Sequence, residues 1–197
     1  MKTLTWILCL WLFARLIWGA LTNDLGVDPI ATIAFSTGLA TLRLMLITLA
    51  ITPLRRLSPR LAWLIKFRRL LGLFAFFYGT LHMLTWVALY NNFDVQAMLA
   101  DVTKRRFITM GMAAWLLMLP LAATSTNWAI RKLGGKNWNR LHKLVYAVAV
   151  CGIIHYWWQV KTGVLTPLGT TAILAVLLLA RPVTAWMQRR RTRAVPG

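Results

Sequence analysis

Six long apolar stretches dominate this chain of 197 residues, and basic residues gather between them. Hydrophobic residues make up 59% of the chain and charged residues 14%, whereas a soluble domain has about 45–50% and about 25%. A helix needs about 20 apolar residues to cross a bilayer. We therefore predict an all-α integral membrane protein, a single domain over residues 1–197 that forms a six-transmembrane-helix bundle. The predicted helices cover residues 4–21, 30–52, 70–90, 107–124, 141–159 and 168–187.

Basic residues occupy alternate connections between the predicted helices. They cluster at 53–69, at 125–143 and from Arg181 through a basic tail at about 188–197, whereas the opposite side carries few. The positive-inside rule therefore predicts that both termini are cytoplasmic. The basic residues that give the net charge of +19 then set the membrane topology and contact membrane lipid. We therefore expect no nucleic-acid partner. Residues 1–20 resemble a signal peptide, but Arg15 interrupts the apolar region and favours a retained first helix.

Two other local signals shape the predicted bundle. Asp28 and Pro29 are expected to open the second helix, and Pro53 is expected to close it. Cys9 and Cys151 lie inside apolar runs and are expected to be buried small side chains. We find no internal repeat.

Histidine is costly inside a membrane and marks a candidate functional site. His82 lies 12 residues after the start of the third predicted helix, about 18 Å along it. His155 lies 14 residues after the start of the fifth, about 21 Å along it. Both helices run in the same direction, so the two imidazoles are predicted at similar depth, where they could bind one haem iron from opposite sides. The alternative is that each histidine forms a hydrogen bond to a neighbouring helix.

His142 is a candidate ligand of a second haem nearer the cytoplasm. It precedes His155 by 13 residues, and on a straight helix the two side chains point about 140° apart. The matching positions on the third helix are Arg68 and Arg69, which do not bind haem iron. A role as an interfacial side chain therefore stays open for His142.

Three arginines are candidate cofactor-binding residues. Arg43 lies in the middle of the second predicted helix and could pair with haem propionates. Its alternative role is to extend toward a membrane surface. Arg68 and Arg69 open the third helix and could bind propionates of an inner haem or a flavin phosphate. Their alternative role is that of an orientation signal in contact with lipid headgroups.

Several motifs are missing from the sequence. There is no CxxCH attachment motif, so any haem is expected to be of the b type. There is no Gly-rich dinucleotide fingerprint and no Walker A sequence. No predicted helix carries a carboxylate in its membrane interior, which argues against an ion-coupled transporter.

The segments RRLLGLFAFFYGTLH (68–82) and ATSTNWAIRKLGGKNWNRLHKLVYAVAVCGIIHYWW (123–158), with the ITPL run at 51–54, resemble the MsrQ family. This family belongs to the wider group of ferric-reductase-like transmembrane domains. The resemblance implies a haem-binding subunit of the bacterial inner membrane that passes electrons to MsrP, a periplasmic molybdenum enzyme that reduces methionine sulfoxide in proteins. It implies haem b and FMN as cofactors, with electrons from the quinone pool or a cytoplasmic flavin reductase. It makes His82, His142 and His155 haem-ligand candidates, and no motif assigns an FMN or quinone residue.

Two other functions stay open from the sequence. The same fold could be a stand-alone reductase that passes electrons to ferric ion or oxygen. A haem-free assembly factor or transporter is the alternative from another class. The expected function is a non-catalytic electron-transfer subunit with one haem b, or two if His142 is also a ligand.

Overall fold

The computed structural model describes residues 2–160 and 165–193, with side chains over 2–160 and 166–187. Lys161 and the basic tail at 188–197 therefore lie outside the described side chains. The described residues form α-helices joined by short turns and contain no strand. A 3₁₀-helix, Pro59–Leu64, precedes the α-helix Ile65–Leu84, and a π-helical turn, Thr85–Tyr90, follows it. The helices are α1 (Lys2–Leu21), α2 (Pro29–Leu57), α3 (Ile65–Leu84), α4 (Val95–Lys104), α5 (Arg106–Ala123), α6 (Asn127–Leu141), α7 (Leu144–Gln159) and α8 (Leu165–Arg193).

Five described helical segments are long and apolar enough to cross a membrane. They are Lys2–Leu21, Pro29–Leu57, Pro59–Tyr90, Arg106–Ala123 and Thr166–Met187. The protein is therefore an all-helical integral membrane protein with several spans. The fifth predicted helix corresponds to α7, which has only 16 residues. That length gives about 24 Å of helix, shorter than the apolar core of about 30 Å in a typical bilayer.

Two of the described helices, α4 and α6, occupy stretches that we expected to be connections. Asp94 caps α4, because its carboxylate accepts hydrogen bonds from the backbone N–H groups of Gln96 and Ala97. Thr126 caps α6 in the same way. Gly134 kinks α6 with a φ of 74°, a backbone conformation that favours glycine. Asp and Thr are residue types that favour helix starts, so Asp94 and Thr126 were the sequence signals for α4 and α6.

Pro53 does not close the second helix, contrary to expectation. The predicted start is confirmed, because Asp28 caps α2 and Pro29 occupies its first turn. However, α2 continues through Pro53 to Leu57. Proline has no backbone N–H, so it leaves the carbonyl four residues earlier without its helical donor. That carbonyl belongs to Leu49, and it accepts a hydrogen bond of 2.8 Å from Nη2 of Arg181 on α8.

The two ends of the bundle differ in charge. The C-terminal turn of α2, the N-terminal turn of α3, α6 and the region of α8 around Arg181 meet at one end, called the basic end below. Arg56 donates to the carbonyl of Arg181 there, and Arg69 donates to Asn127. The other end, called the acidic end, contains the N-terminus of α2, the π-helical turn and α4. Its acidic residues are Asp24, Asp28, Asp94 and Asp101, and the indole of Trp86 donates to Asp101 at 3.3 Å.

Helix α1 runs alongside α3 in the same direction. Trp6 packs on Phe74 and Phe13 packs on Phe77, with ring centroids 4.9 and 5.4 Å apart. The Tyr78 hydroxyl donates to the carbonyl of Cys9 and accepts from the N–H of Phe13. Cys9 is buried, as expected, whereas Cys151 is only partly buried, contrary to expectation. The main core lies between the remaining long helices and contains Leu42, Met45, Leu46, Leu49, Ala75, Met118, Val148, Ala149, Ile153 and Leu174.

Candidate metal centre

His82 and His155 face each other across the bundle. Their ring centroids are 5.8 Å apart and their planes meet at 81°. Two imidazoles that bind one metal from opposite sides, each through a bond of about 2 Å, have centroids about 6 Å apart. The structure therefore brings together the two residues predicted at equal depth, at a separation suited to a shared metal ion.

A backbone carbonyl fixes the orientation of each imidazole. Nδ1 of His82 lies 2.8 Å from the carbonyl oxygen of Ala34 on α2. Nδ1 of His155 lies 2.6 Å from the carbonyl oxygen of Phe107 on α5. A carbonyl only accepts hydrogen bonds, so each Nδ1 carries the proton and each Nε2 keeps its lone pair. This is the usual arrangement of a metal-binding histidine, whose second nitrogen donates to a backbone or carboxylate oxygen.

A glycine lies against each of the two rings. A Cβ on Gly38 would lie 3.1 Å from His82, and a Cβ on Gly111 would lie 2.8 Å from Nδ1 of His155. Any other residue at either position would press on the ring and on its hydrogen bond to the carbonyl. The two helices can approach the histidines closely because both positions are glycine.

The two halves of the site repeat one another. In each half, 48 residues separate the histidine from its carbonyl partner, and the glycine lies four residues after that partner. Ala34, Gly38, Gly79 and His82 correspond to Phe107, Gly111, Gly152 and His155, each pair 73 residues apart. The helix pair α2–α3 is thus repeated by α5–α7. Our expectation of no internal repeat is wrong at this level, and the recurrent Gly-x-x-His sequence was the signal for it.

The chemistry of the donor set fits haem better than a bare metal ion. Among residues 2–160 and the described part of α8, no group of three or more His, Cys, Asp or Glu side chains could hold a metal. A protein zinc site usually has three or four such ligands. Haem iron needs only one or two from the protein, because the porphyrin supplies the others. A pair of neutral imidazoles with free Nε2 atoms therefore suits axial binding of haem.

His142 lies apart from this pair. We expected it to belong to the same helix as His155, but α6 ends at Leu141 and α7 begins at Leu144. The break at residues 142–143 removes the straight-helix relation between the two histidines. The His142 ring stacks on Trp138 with centroids 3.8 Å apart, and its Nδ1 lies 3.1 Å from the Trp138 carbonyl oxygen.

The second ring nitrogen of His142 has no strong hydrogen-bonding partner in the described structure. This Nε2 atom is buried and makes no hydrogen bond of good geometry, although the backbone of Leu121 lies near the ring as a weak hydrogen-bonding partner. Burial lowers the pKa of His142 below its ordinary value. The lowered pKa keeps the ring neutral at pH 7.

The three candidate arginines have different environments. Arg43 is exposed on the outer face of α2 and is not brought to either central histidine. Arg69 is exposed and donates to Asn127. Arg68 is half-buried, lies within electrostatic range of Tyr146, and is 14 residues before His82 on α3. That spacing is about 21 Å along the helix, so Arg68 belongs to the basic end.

Sequence reasoning missed several residues at the histidine pair and at the basic end. Gly38 and Gly111 beside the histidines have no reactive side chain, so only their spacing from the histidines in the sequence could have identified them. Arg181 and Tyr146 join Arg68 at the basic end. Arg181 was counted only as part of the cationic cluster at the end of the last helix, because its partner carbonyl at Leu49 is far away in the sequence.

Comparisons with known proteins give one consistent family. The family described as "Ferric reductase like transmembrane component" matches residues 37–153, which include His82 and His142 and stop just before His155. Relatives named "Protein-methionine-sulfoxide reductase heme-binding subunit MsrQ" occur in several bacteria. The one from Herminiimonas arsenicoxydans is 49% identical over 100% of this chain and 90% of its own length.

Two further relatives carry the same name. The protein from Ralstonia nicotianae is 46% identical over 98% of this chain and 89% of its own length. The protein from Bordetella pertussis is 49% identical over 90% of this chain and 86% of its own length. No solved structure matches the chain. With its ferric-reductase-like transmembrane component and nearly full-length similarity to these subunits, the chain belongs to the MsrQ family.

Proposed function

We propose that this chain is a b-type cytochrome subunit that carries electrons across the bacterial inner membrane. The observation that carries this proposal is the facing pair His82 and His155, each with Nε2 free and Nδ1 held by a carbonyl. The names of the relatives, heme-binding subunits of a methionine-sulfoxide reductase, support the cofactor and the reductase system. His82 and His155 would hold one haem b through their Nε2 atoms.

The proposed topology has six spans with both termini in the cytoplasm. Helix α7 is short, and a short span can be accommodated by local thinning of the bilayer. It runs parallel to α3, since Tyr146 near its start is close to Arg68 while His155 near its end faces His82. The basic end is assigned to the cytoplasm by the positive-inside rule. The acidic end then faces the periplasm.

The position of the histidine pair supports electron exit toward the periplasm. Phe107 is the second residue of α5 at the acidic end, and its carbonyl contacts His155. The proposed acceptor is an MsrP-like periplasmic molybdoenzyme that reduces methionine sulfoxide in proteins. The proposed donors are the quinone pool or a cytoplasmic flavin reductase, and FMN is the proposed second cofactor.

The residues of the chain bind, orient and shield the cofactor. Bound haem supplies a one-electron carrier whose potential depends on its axial ligands and their hydrogen bonds. The carbonyls of Ala34 and Phe107 orient the two imidazoles and increase the basicity of Nε2. The apolar helices around the pair would limit solvent access and lower the local dielectric constant, which would tune the redox potential of the bound haem.

The test is a reduced-minus-oxidised visible spectrum of the purified protein, with haem counted per chain. We expect a b-type spectrum with about one haem per chain from the single His82–His155 pair. About two per chain would add His142 as the ligand of a second haem. A colourless protein after expression with added haem would refute the proposal and favour a haem-free assembly factor or transporter.

A stand-alone reductase is the second candidate, because the matching family is described as ferric reductase like. The two functions differ in their electron acceptor. Dithionite-reduced protein in detergent should transfer electrons slowly to a ferric chelate and rapidly to an MsrP-like enzyme. Rapid reduction of the chelate with no response to MsrP would favour the second candidate.

A further inference from the structure

A second polar cluster lies at the basic end, about 20 Å along the helices from the histidine pair. Its centre is Arg181, whose Nη2 donates to the Leu49 carbonyl left free by Pro53. Nη1 of Arg181 donates to the Tyr146 hydroxyl, and the guanidinium lies 4.9 Å from the centre of the Tyr146 ring. Its Nε is buried and has no hydrogen-bonding partner among the described residues. Arg181 therefore ties α2, α7 and α8 together and still has an unused donor.

Two more guanidinium groups converge on Arg181. Arg56 from α2 donates to the Arg181 carbonyl at 3.1 Å. Arg68 from α3 is half-buried and lies within electrostatic range of Arg181, Tyr146 and His142. The described structure shows no hydrogen bond and no ion pair for the Arg68 side chain. Three helices thus direct partly buried cations to one place.

No carboxylate balances these cations. All four acidic residues of the chain lie between α1 and α2 or between α3 and α5, at the acidic end. They are Asp24, Asp28, Asp94 and Asp101. Partly buried charges of like sign repel one another and cost free energy unless an opposite charge joins them. The basic end therefore carries an excess of positive charge that an external anion can neutralise.

The geometry of the cluster favours a phosphate over a single carboxylate. A phosphate monoester carries about −1.5 to −2 charges and three acceptor oxygens. Guanidinium groups recognise such oxygens with paired hydrogen bonds. The guanidinium groups on α2, α3 and α8 can each donate to a different phosphate oxygen. A carboxylate has only two oxygens and one charge.

We infer that Arg56, Arg68, Tyr146 and Arg181 form a binding site for a phosphate group presented from the basic end of the bundle. The phosphate has two chemical sources, a soluble flavin mononucleotide and the headgroup of an anionic phospholipid. The flavin source rests on the proposed function, whereas the phosphate site itself rests only on the cluster. Arg69, the neighbour of Arg68, is exposed and bonded to Asn127, so it is not part of the site.

Neighbouring arginines provide a matched pair of variants. Arg68→Gln removes a cluster charge that makes no described hydrogen bond, so the fold should survive. Arg69→Gln removes the same charge one position away and serves as the control. The full-length proteins are placed in nanodiscs of phosphatidylcholine, and binding of FMN and of riboflavin is measured by equilibrium dialysis. Riboflavin lacks the phosphate and reports any binding through the flavin ring alone.

If flavin is the source, wild-type protein should bind FMN at least about tenfold more tightly than riboflavin. Arg68→Gln should remove about that tenfold preference, and Arg69→Gln should keep it. If lipid is the source, FMN does not bind. Phosphatidylglycerol should then co-purify with wild type and Arg69→Gln and be depleted in Arg68→Gln.

Equal behaviour of the two variants toward both phosphate sources would overturn the site, as would failure of wild type to bind either source. Haem per chain is measured in the same samples. Protein with full haem but without a phosphate preference refutes the site and leaves the proposed function standing. Protein without haem that keeps an Arg68-dependent phosphate preference refutes the proposed function and leaves the site standing.

Discussion

Replacing either His82 or His155 with alanine is expected to remove most of the haem absorbance of the purified protein. The two rings lie 5.8 Å apart and each has only Nε2 free, so one metal would depend on both. No third His, Cys, Asp or Glu joins them among the described residues, and no substitute ligand is close. The measurement is haem per chain by the pyridine haemochrome method, normalised to protein in the monodisperse detergent-solubilised peak.

The control for this loss is His142→Ala. His142 lies at the break between α6 and α7, stacked on Trp138, so its loss should leave the His82–His155 spectrum unchanged. Glycine variants at His82 or His155 add a chemical test, because added imidazole can enter the space and restore a ligand. Restored absorbance indicates ligation, whereas a helix contact would not respond. Full haem in both alanine variants would exclude the pairing.

The predicted helix starts at 70 and 141 placed His82 and His155 at similar depth, since each residue adds about 1.5 Å along a helix. The observed helices begin at Ile65 and Leu144 instead, so the prediction that the two rings lie close together is confirmed although the helix starts used for it were wrong. The basic connections gave the direction of each helix. Neither argument needed the side-chain packing, and the structure brings the two rings together.

Other features could not be predicted because they depend on contacts between distant residues. Pro53 favours a helix end on local grounds, but a guanidinium from Arg181 replaces the missing donor and α2 continues. The break at His142 depends on how α6 packs, including the hydrogen bond from Trp138 to the carbonyl of Thr124. Neither contact can be inferred from local helix propensity.

The separation of Arg68 from Arg69 shows the same limit. Adjacent residues on a helix point about 100° apart, so one faces the bundle and the other faces outward. No sequence signal distinguishes the two arginines. In the structure, Arg68 is half-buried toward Arg181 while Arg69 bonds to Asn127.

Substitution of Gly111 by alanine is expected to weaken haem retention strongly without removing a ligand. The added Cβ would lie 2.8 Å from Nδ1 of His155, closer than van der Waals contact allows. The ring would have to move away from the Phe107 carbonyl, its partner at 2.6 Å. Loss of such an orienting hydrogen bond typically weakens metal binding by about 10–100-fold. Haem retention is measured by transfer to excess apomyoglobin, together with the midpoint potential.

Two further glycines serve as comparisons, because a Cβ added at each would lie at a different distance from the neighbouring side chains. A Cβ on Gly38 would lie 3.1 Å from His82, whereas one on Gly152 would meet only Met45 at 3.8 Å and Leu42 at 3.9 Å. The loss of haem should therefore be largest for Gly111→Ala, smaller for Gly38→Ala and absent for Gly152→Ala. A general weakening of the helical bundle would affect Gly152→Ala as well and would leave the midpoint potential of the remaining haem unchanged. A shifted potential in the Gly111 variant alone would instead locate the change at the His155 ring, since the orientation and basicity of an axial ligand set the potential of the iron.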